Sequence, residues 1–195
     1  MEIIFATGNR HKLQEAQQIL GPNFTLKTPE EFGITEEIPE TSDTIEGNAL
    51  QKVQYIWEKV HKCCFADDTG LFVDALDGAP GVHSARYAGE GKRAEDNVAK
   101  LLEQMENKEP RSARFRTIIA LMKDGRPTLF EGKVEGIITQ KPSGEGGFGY
   151  DPIFAPKEYG SSKTFSELSA EEKNKISHRG EAMRKLAQYL NGIEQ

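Results

Sequence analysis

The sequence has little cysteine and no long apolar run, and each deficit excludes a class of protein. Its 195 residues include only two cysteines, Cys63 and Cys64, which are neighbours. Adjacent cysteines close no useful loop, so we predict two buried thiols in a reducing compartment rather than a structural disulfide. No run approaches the roughly 20 apolar residues that cross a bilayer. The start MEIIFATGN carries no basic segment, so no secretory signal is expected, and we predict a cytoplasmic protein without membrane contact.

A broad cationic surface is also missing. The formal net charge is −6, which argues against a protein that grips nucleic acid over a wide face. A local cluster of cations that binds a small anion remains possible. Apolar residues make up 36% and charged residues 29%, as in ordinary globular proteins. The length suits one domain, or one domain with two lobes around a cleft.

Periodicity predicts alternating strands and helices. The clearest helix runs from Thr44 to His61, with Ser42 or Asp43 as its cap, and Asn9 can cap an earlier helix. A turn at 123–125 favours a hairpin. The predicted strands cover 2–7, 24–28, 63–67, 70–76, 114–122 and 129–138, and the other predicted helices cover 10–20, 93–105, a short segment after Ser169 and a last helix after Ser177. This pattern predicts an α/β fold with a mixed sheet.

The segment TGNRHK (7–12) joins a strand to a helix through a glycine turn. Backbone N–H groups at a helix N-terminus favour anions, and Lys12 lies one turn further along. The segment is not a P-loop, because G-x-x-x-x-G-K-[ST] is absent. It is either a phosphate-binding turn or an ordinary turn followed by a surface lysine.

Residues 144–149 match G-x-G-x-x-G, the pattern of dinucleotide-binding turns. Lys-Pro-Ser precedes the match, and Pro152 biases Asp151 away from helix, so the required strand and helix are not expected. We therefore interpret the match as accidental. The segment still carries an aromatic side chain, Phe148, and a carboxylate, Asp151, on one loop.

Asp67 and Asp68 stand together where an apolar strand is expected to end. Successive strand residues point to opposite faces, so one carboxylate of the pair faces a given site. Mg²⁺ binds one or two carboxylates plus phosphate oxygens and waters, and Glu40 could supply the second carboxylate. The alternative is that one aspartate caps a turn with Thr69 and Gly70.

The segment EEKNKISHRG (171–180) contains four potential cations within seven residues: Lys173, Lys175, His178 and Arg179. A solvated charged face is the common explanation for such a run. His178 and Arg179, however, fall in the first turn of the last helix, where cations oppose the helix dipole. Their position favours a ligand that requires hydrogen-bond donors there.

Six ordered blocks resemble the inosine/xanthosine triphosphate pyrophosphatase family, whose members hydrolyse non-standard purine nucleoside triphosphates. They are TGNxxK, ETxxTxxxNAxxK, ADDTGL, GAPGVHSARYAG, GGFGYDPIF and KNKISHRG, and the similarity runs from residue 2 to about residue 190. The resemblance implies one domain over residues 1–195, with two lobes on an elongated, twisted mixed sheet flanked by helices and a central active-site cleft. It also implies a homodimer, Mg²⁺ as cofactor, and conversion of ITP, dITP or XTP to monophosphate and pyrophosphate.

The resemblance further implies roles for individual residues. Asp68 would bind the metal with Glu40 and accept the proton of the attacking water, while Asp67 is assigned to structural support. Thr69 would contact the substrate. The phosphates would lie against Thr7, Gly8, Asn9, Arg10, His11, Lys12, Lys52 and Lys173, and the base against Phe148, Gly149, Tyr150, Asp151, His178 and Arg179.

Base selection follows from hydrogen bonding. Inosine and xanthosine present a 6-oxo acceptor to His178 and Arg179, whereas adenine presents a donor, and Asp151 would accept from N1–H. The sequence leaves open how the 2-amino group of guanine is rejected. Gly47 departs from the Glu that relatives commonly carry, which puts more weight on Glu40 as a metal ligand.

Two other functions remain as alternatives. One is a Maf-like pyrophosphatase of pyrimidine nucleotides, against which the Ser-His-Arg and Gly-Phe-Gly-Tyr-Asp segments argue. The other is a nucleotide-binding sensor that does not turn over, and Glu40, Asp68 and the three lysines speak against it.

Overall fold

The apolar run at the start of the chain forms the first strand of a mixed sheet in the computed structural model, which describes residues 1–192. The strands are β1 Glu2–Phe5, β2 Thr25–Lys27, β3 Cys64–Val73, β4 Pro80–Gly81, β5 Ser112–Lys123, β6 Arg126–Ile138 and β7 Phe154–Pro156. Their order in the sheet is β2-β1-β3-β5-β6-β7, and β4 pairs with β3. Strand β1 is parallel to β2 and β3, whereas β4 is antiparallel to β3 and β7 is antiparallel to β6. The predicted mixed α/β fold is confirmed.

Five α-helices lie within the described residues. They are α1 Arg10–Leu20, α2 Ile45–Val60, α3 Ala94–Gln104, α4 Ala170–Ile176 and α5 His178–Leu190. The capping box of Ser169 with Glu172 is present at α4, and Asn9 caps α1, as predicted. None of the helices in this part of the chain has the length and apolar character that crossing a bilayer requires.

Two boundary predictions are wrong, and both have a local cause. Helix α2 is capped by Thr44, whose hydroxyl accepts from the Gly47 N–H, and not by Ser42 or Asp43. Ser42 is engaged otherwise, since its hydroxyl accepts a hydrogen bond from the Thr44 N–H. The first strand ends at Phe5, because the chain enters the turn toward Asn9 there.

The larger correction concerns the aspartate pair. The prediction placed separate strands on either side of it, but β3 runs without interruption from Cys64 to Val73 through both aspartates. The charge that disfavours acids within a strand is compensated here by cations from segments far away in sequence, as described below.

The chain divides into two compact units. The first contains residues 1–68, 117–132 and 179–192 of the described chain, and its apolar core includes Phe5, Phe65 and Leu186. The second contains residues 69–116 and 133–178, and its core includes Leu101, Phe115, Phe154 and Phe165. Each unit therefore has an apolar core of its own.

Candidate active site

In the first unit, a buried carboxylate is surrounded by cations from three helices. Asp67 is 1% exposed, and its Oδ1 accepts from Lys12 Nζ at 3.1 Å. Its Oδ2 accepts from Arg179 Nε at 3.2 Å, and its backbone carbonyl accepts from Lys52 Nζ at 2.6 Å. Burial alone would raise the pKa of Asp67, but the charges of Lys12, Arg179 and Lys52 outweigh it and hold this pKa well below its usual range. Asp67 is therefore ionised and binds three cations.

Asp68 has a different environment from its neighbour. Its Oδ2 accepts from the amide Nδ2 of Asn48 at 3.1 Å. Burial raises the pKa of Asp68, and the charges of Lys52 and Lys12 offset the increase only in part. The two adjacent carboxylates therefore have pKa values shifted in opposite directions.

Lys52 connects strand β3 to the loop before α2, residues 33–44, which carries Glu40 and is called the acidic loop below. Its Nζ donates to Glu40 Oε1 at 2.7 Å as well as to the carbonyl of Asp67. Burial alone would lower the pKa of Lys52, but the charges of Asp68, Glu40 and Asp67 outweigh the effect of burial, so that this pKa is raised. Lys12 has the opposite balance: burial lowers its pKa, and the charge of Asp67 offsets this only partly.

The turn at residues 7–12 is built as a helix N-terminus, and part of its hydrogen-bonding capacity is used internally. The Asn9 side chain accepts from the His11 and Lys12 N–H groups, and the Asn9 N–H donates to the Thr7 hydroxyl. Gly8, Asn9, Arg10 and His11 are exposed. The turn is thus open to solvent, with one half-buried cation, Lys12, just behind it.

The second unit holds a cluster of buried polar and aromatic groups. Asp151 Oδ2 accepts from Lys173 Nζ at 2.7 Å and from the Phe148 N–H at 2.9 Å. Lys173 also lies over the Phe148 ring, with its Nζ 4.6 Å from the ring centroid. His178 stacks on Phe115, with centroids 4.6 Å apart.

The loop that carries Phe148 and Asp151 is fixed at several points. The Tyr150 hydroxyl donates to the carbonyl of Ser84 at 2.7 Å, and the Ser84 hydroxyl accepts from Leu71 N–H. Gly147 has φ +71°, and a Cβ there would overlap Asp151 Oδ2. No α-helix opens on residues 144–149, so the dinucleotide-type match is accidental, as predicted.

The structure groups two predicted residues differently from the sequence analysis. Lys173 was expected among the phosphate ligands, but it contacts Asp151 and the Phe148 ring in the second unit. Arg179 was expected beside the base, but in the first unit it contacts Asp67 and, through Nη1, Glu15 Oε2 at 2.5 Å. Thr69 is half-buried at the start of the second unit, and Gly149 has a left-handed backbone with open space around it.

Sequence reasoning missed Glu15 and Asn48 as members of the first cluster. Both could have been found from helical spacing, since Glu15 follows Lys12 by three residues and Asn48 precedes Lys52 by four. Gly47 also has a local explanation: a Cβ at this position would overlap the Ser42 hydroxyl.

The cluster around Asp67 and Asp68 in the first unit contains carboxylate oxygens, which are the ligands that a hard divalent cation binds. No group of three or more His, Cys, Asp or Glu side chains in residues 1–192 forms a complete metal cage. Glu40 and Asp68 interact electrostatically with each other, and both interact with Lys52. Two carboxylates without a complete protein cage fit the way Mg²⁺ binds, with its remaining ligands drawn from phosphate oxygens and water.

Comparison with known proteins gives consistent matches along the chain. The sequence model of the Ham1 family matches residues 3–189. The chain is 50% identical to a dITP/XTP pyrophosphatase of Flavobacterium johnsoniae over 194 residues, covering 100% of both, and 48% identical to one of Bacillus subtilis, covering 97% and 96%. Among solved structures, the Ham1 protein of Staphylococcus aureus gives a TM-score of 0.89 at 38% identity, covering 100% of both chains, and a HAM1 protein of Coxiella burnetii gives 0.90 at 38%, covering 98% and 99%.

Proposed function

Because this chain belongs to the Ham1 family, we propose that it hydrolyses the non-standard purine nucleotides ITP, dITP and XTP to the monophosphate and pyrophosphate. This activity would remove such nucleotides before they enter DNA or RNA. The names of the relatives support the substrate class. The observation that supports the chemistry best is the arrangement around the aspartate pair, where Lys12 and Lys52 contact Asp67, and Asn48 and Lys52 link Asp68 and Glu40 to helix α2.

We assign the attack of water to the α-phosphorus, so that the bond to the bridging oxygen breaks and pyrophosphate is the leaving group. We assign proton acceptance from this water to Asp68, a half-buried carboxylate whose Oδ2 accepts from Asn48 Nδ2 at 3.1 Å. Lys12 and Lys52 would stabilise the charge on the phosphate oxygens and the leaving pyrophosphate. The exposed turn from Thr7 to Lys12 would bind the same phosphates through its remaining backbone donors.

Glu40 and Asp68 would hold Mg²⁺ in this site. When bound, the ion would supply charge neutralisation at the phosphate oxygens. Lys52 would keep Glu40 in place, since the two already form an ion pair at 2.7 Å.

Base recognition is assigned to the second unit, with Thr69 as a further substrate contact. The Phe148 ring would stack on the purine, Asp151 would accept from N1–H, and His178 would donate to the 6-oxo group. Gly149 and Tyr150 would support the loop. Adenine would place a donor against a donor, and such a mismatch can lower kcat/KM about 10⁴-fold or more relative to the matched base.

Arg179 keeps its predicted base contact as a hypothesis. Its contacts with Asp67 and Glu15 favour a second role, in which the guanidinium neutralises these two carboxylates of the first unit. We also propose a homodimer, which size-exclusion chromatography with light scattering would test.

A turnover panel tests the proposed reaction. ITP, dITP, XTP, GTP, ATP and TTP are incubated with the protein and Mg²⁺, and pyrophosphate is measured separately from orthophosphate. Pyrophosphate from ITP, dITP and XTP, lost in Asp68→Asn, is the expected result. Orthophosphate release or preference for TTP would favour a phosphatase or the Maf-like alternative, and tight ITP binding without turnover would favour a sensor.

A further inference from the structure

Helix α2 contributes two buried polar side chains, and each of them joins the acidic loop to strand β3. Asn48 and Lys52 are four residues apart, so they lie on one face of the helix, and both are buried. Lys52 contacts Glu40 in the acidic loop and the carbonyl of Asp67 in β3. The role of Lys52 is electrostatic, as argued above, whereas Asn48 carries no charge.

Asn48 forms its own link between the same loop and the same strand. Its Oδ1 accepts from the Ser42 N–H at 2.9 Å, and its Nδ2 donates to Asp68 Oδ2 at 3.1 Å. Ser42 lies two residues after Glu40, so one carboxamide joins the backbone near one proposed metal ligand to the side chain of the other. Since both ends of this buried carboxamide are bonded, its orientation is fixed.

We propose that Asn48 is a positioning residue, which sets the Asp68 carboxylate relative to Glu40 for the proposed hydrolysis. The inference depends on that proposed function. A neutral amide is suited to this role because it directs one carboxylate oxygen without adding the positive charge of another lysine. Loss of Asn48 should therefore impair the chemical step, while the phosphate-binding lysines and the base-binding loop stay intact.

Two substitutions separate the two hydrogen bonds of Asn48. Asn48→Ala removes both, whereas Asn48→Asp keeps an acceptor for the Ser42 N–H and replaces the donor to Asp68 with a carboxylate oxygen. We expect both variants to lose about 10- to 100-fold in kcat toward ITP, as is typical when a group that orients a metal ligand is removed. KM for ITP should stay within about twofold. A positioning role predicts this separation of kcat from KM.

The chain provides a matched control in Asn97. It is 4% exposed, like Asn48, and it also joins two segments, since its Oδ1 accepts from the Ala88 N–H and its Nδ2 donates to the carbonyl of Ala85. Asn97→Ala should lower the melting temperature as Asn48→Ala does, but leave kcat per folded molecule unchanged. A second readout is the rise in melting temperature when Mg²⁺ alone is added, which should shrink in Asn48→Ala and stay at the wild-type value in Asn97→Ala.

The outcomes distinguish the inference from the function on which it depends. A wild-type protein that releases no pyrophosphate from any nucleotide would overturn the proposed function and this inference with it. If the wild type hydrolyses ITP and Asn48→Ala has the same kcat, the inference alone is overturned and the proposed function stands. Equal losses of kcat in Asn48→Ala and Asn97→Ala would also overturn it, because a general effect on folding would then explain both. Should Asn48→Ala not fold, Asn48→Asp carries the comparison, and wild-type kcat in that variant would overturn the inference.

Discussion

Replacing Asp67 by Asn keeps the shape of the side chain and removes the charge that pairs with Lys12 and Arg179. The carboxylate lies 3.1 Å from Lys12 Nζ and 3.2 Å from Arg179 Nε, and it is almost fully buried. Removing one partner of a buried ion pair costs about 3–5 kcal/mol, because the remaining charge stays buried. Two cations lose their partner here, although Glu15 still compensates Arg179. We therefore expect Asp67→Asn to lower the free energy of unfolding by at least about 3 kcal/mol.

The same substitution one residue later should have a different effect. Burial disfavours the charge of Asp68, as its raised pKa indicates, and when Asp68→Asn removes that charge, Glu40 and Asp67 still compensate Lys52. We expect its free energy of unfolding to stay within about 1 kcal/mol of the wild type. Its turnover of ITP should fall by about 10²-fold or more, since the proposed general base is lost.

The pH dependence of stability gives a further test of the reasoning on Asp67. The pKa of Asp67 is lowered in the folded protein from its ordinary value of 3.8. The stabilisation is therefore complete above that value and is lost as pH falls toward the lowered pKa. The difference in unfolding free energy between wild type and Asp67→Asn should be largest at pH 5–7 and should narrow between pH 4 and pH 3.

Urea unfolding of the three proteins, followed by far-UV circular dichroism at each pH, measures these differences. Equal stability losses in the two variants at pH 7 would refute the assignment of opposite environments to the two aspartates. A difference that widens as pH falls would refute the lowered pKa of Asp67.

Two further predictions concern other parts of the chain. Gly147→Ala should raise KM for ITP about tenfold or more, because the added Cβ overlaps the Asp151 carboxylate. Gly160→Ala is the control: Gly160 has a similar φ of +60° but open space around it, so this variant has the same backbone strain and should leave KM unchanged. Burial raises the pKa of the Cys64 thiol to about 12, so Cys64 should react with a disulfide reagent at pH 8 only after unfolding. A Cys63→Ala variant isolates its signal, and rapid native labelling of that variant would contradict the prediction.

The elements with a strong local pattern could be predicted from the sequence. The hairpin between β5 and β6 is an example, because Asp124 and Gly125 adopt φ values of +51° and +73°, which this tight turn requires. The capping box at Ser169 is another, since its two partners lie three residues apart. In both cases the residues that determine the structure are neighbours in sequence.

The path of β3 could not be predicted in this way. Two adjacent acids indicate the end of a strand locally, yet the strand continues, because Lys12, Lys52 and Arg179 compensate Asp67. These cations are 55, 15 and 112 residues away in sequence. The contact of Arg179 with Asp67 was missed for the same reason, since the resemblance implied only a contact with the base.

An uninterrupted strand also explains why the two carboxylates differ so strongly. Successive residues of a strand point to opposite faces, so Asp67 and Asp68 meet different neighbours although their backbones are joined. The face of Asp67 supplies two direct cation contacts and lowers its pKa, whereas the side chain of Asp68 receives the neutral amide of Asn48 and its pKa is raised. Equally close cations around Asp68 would lower its pKa as well, and without the Asp67 carboxylate Lys12 and Arg179 would lose their shared partner. The alternation of the strand thus allows one aspartate to hold the cations in place while the next directs its carboxylate to Asn48 on the other face.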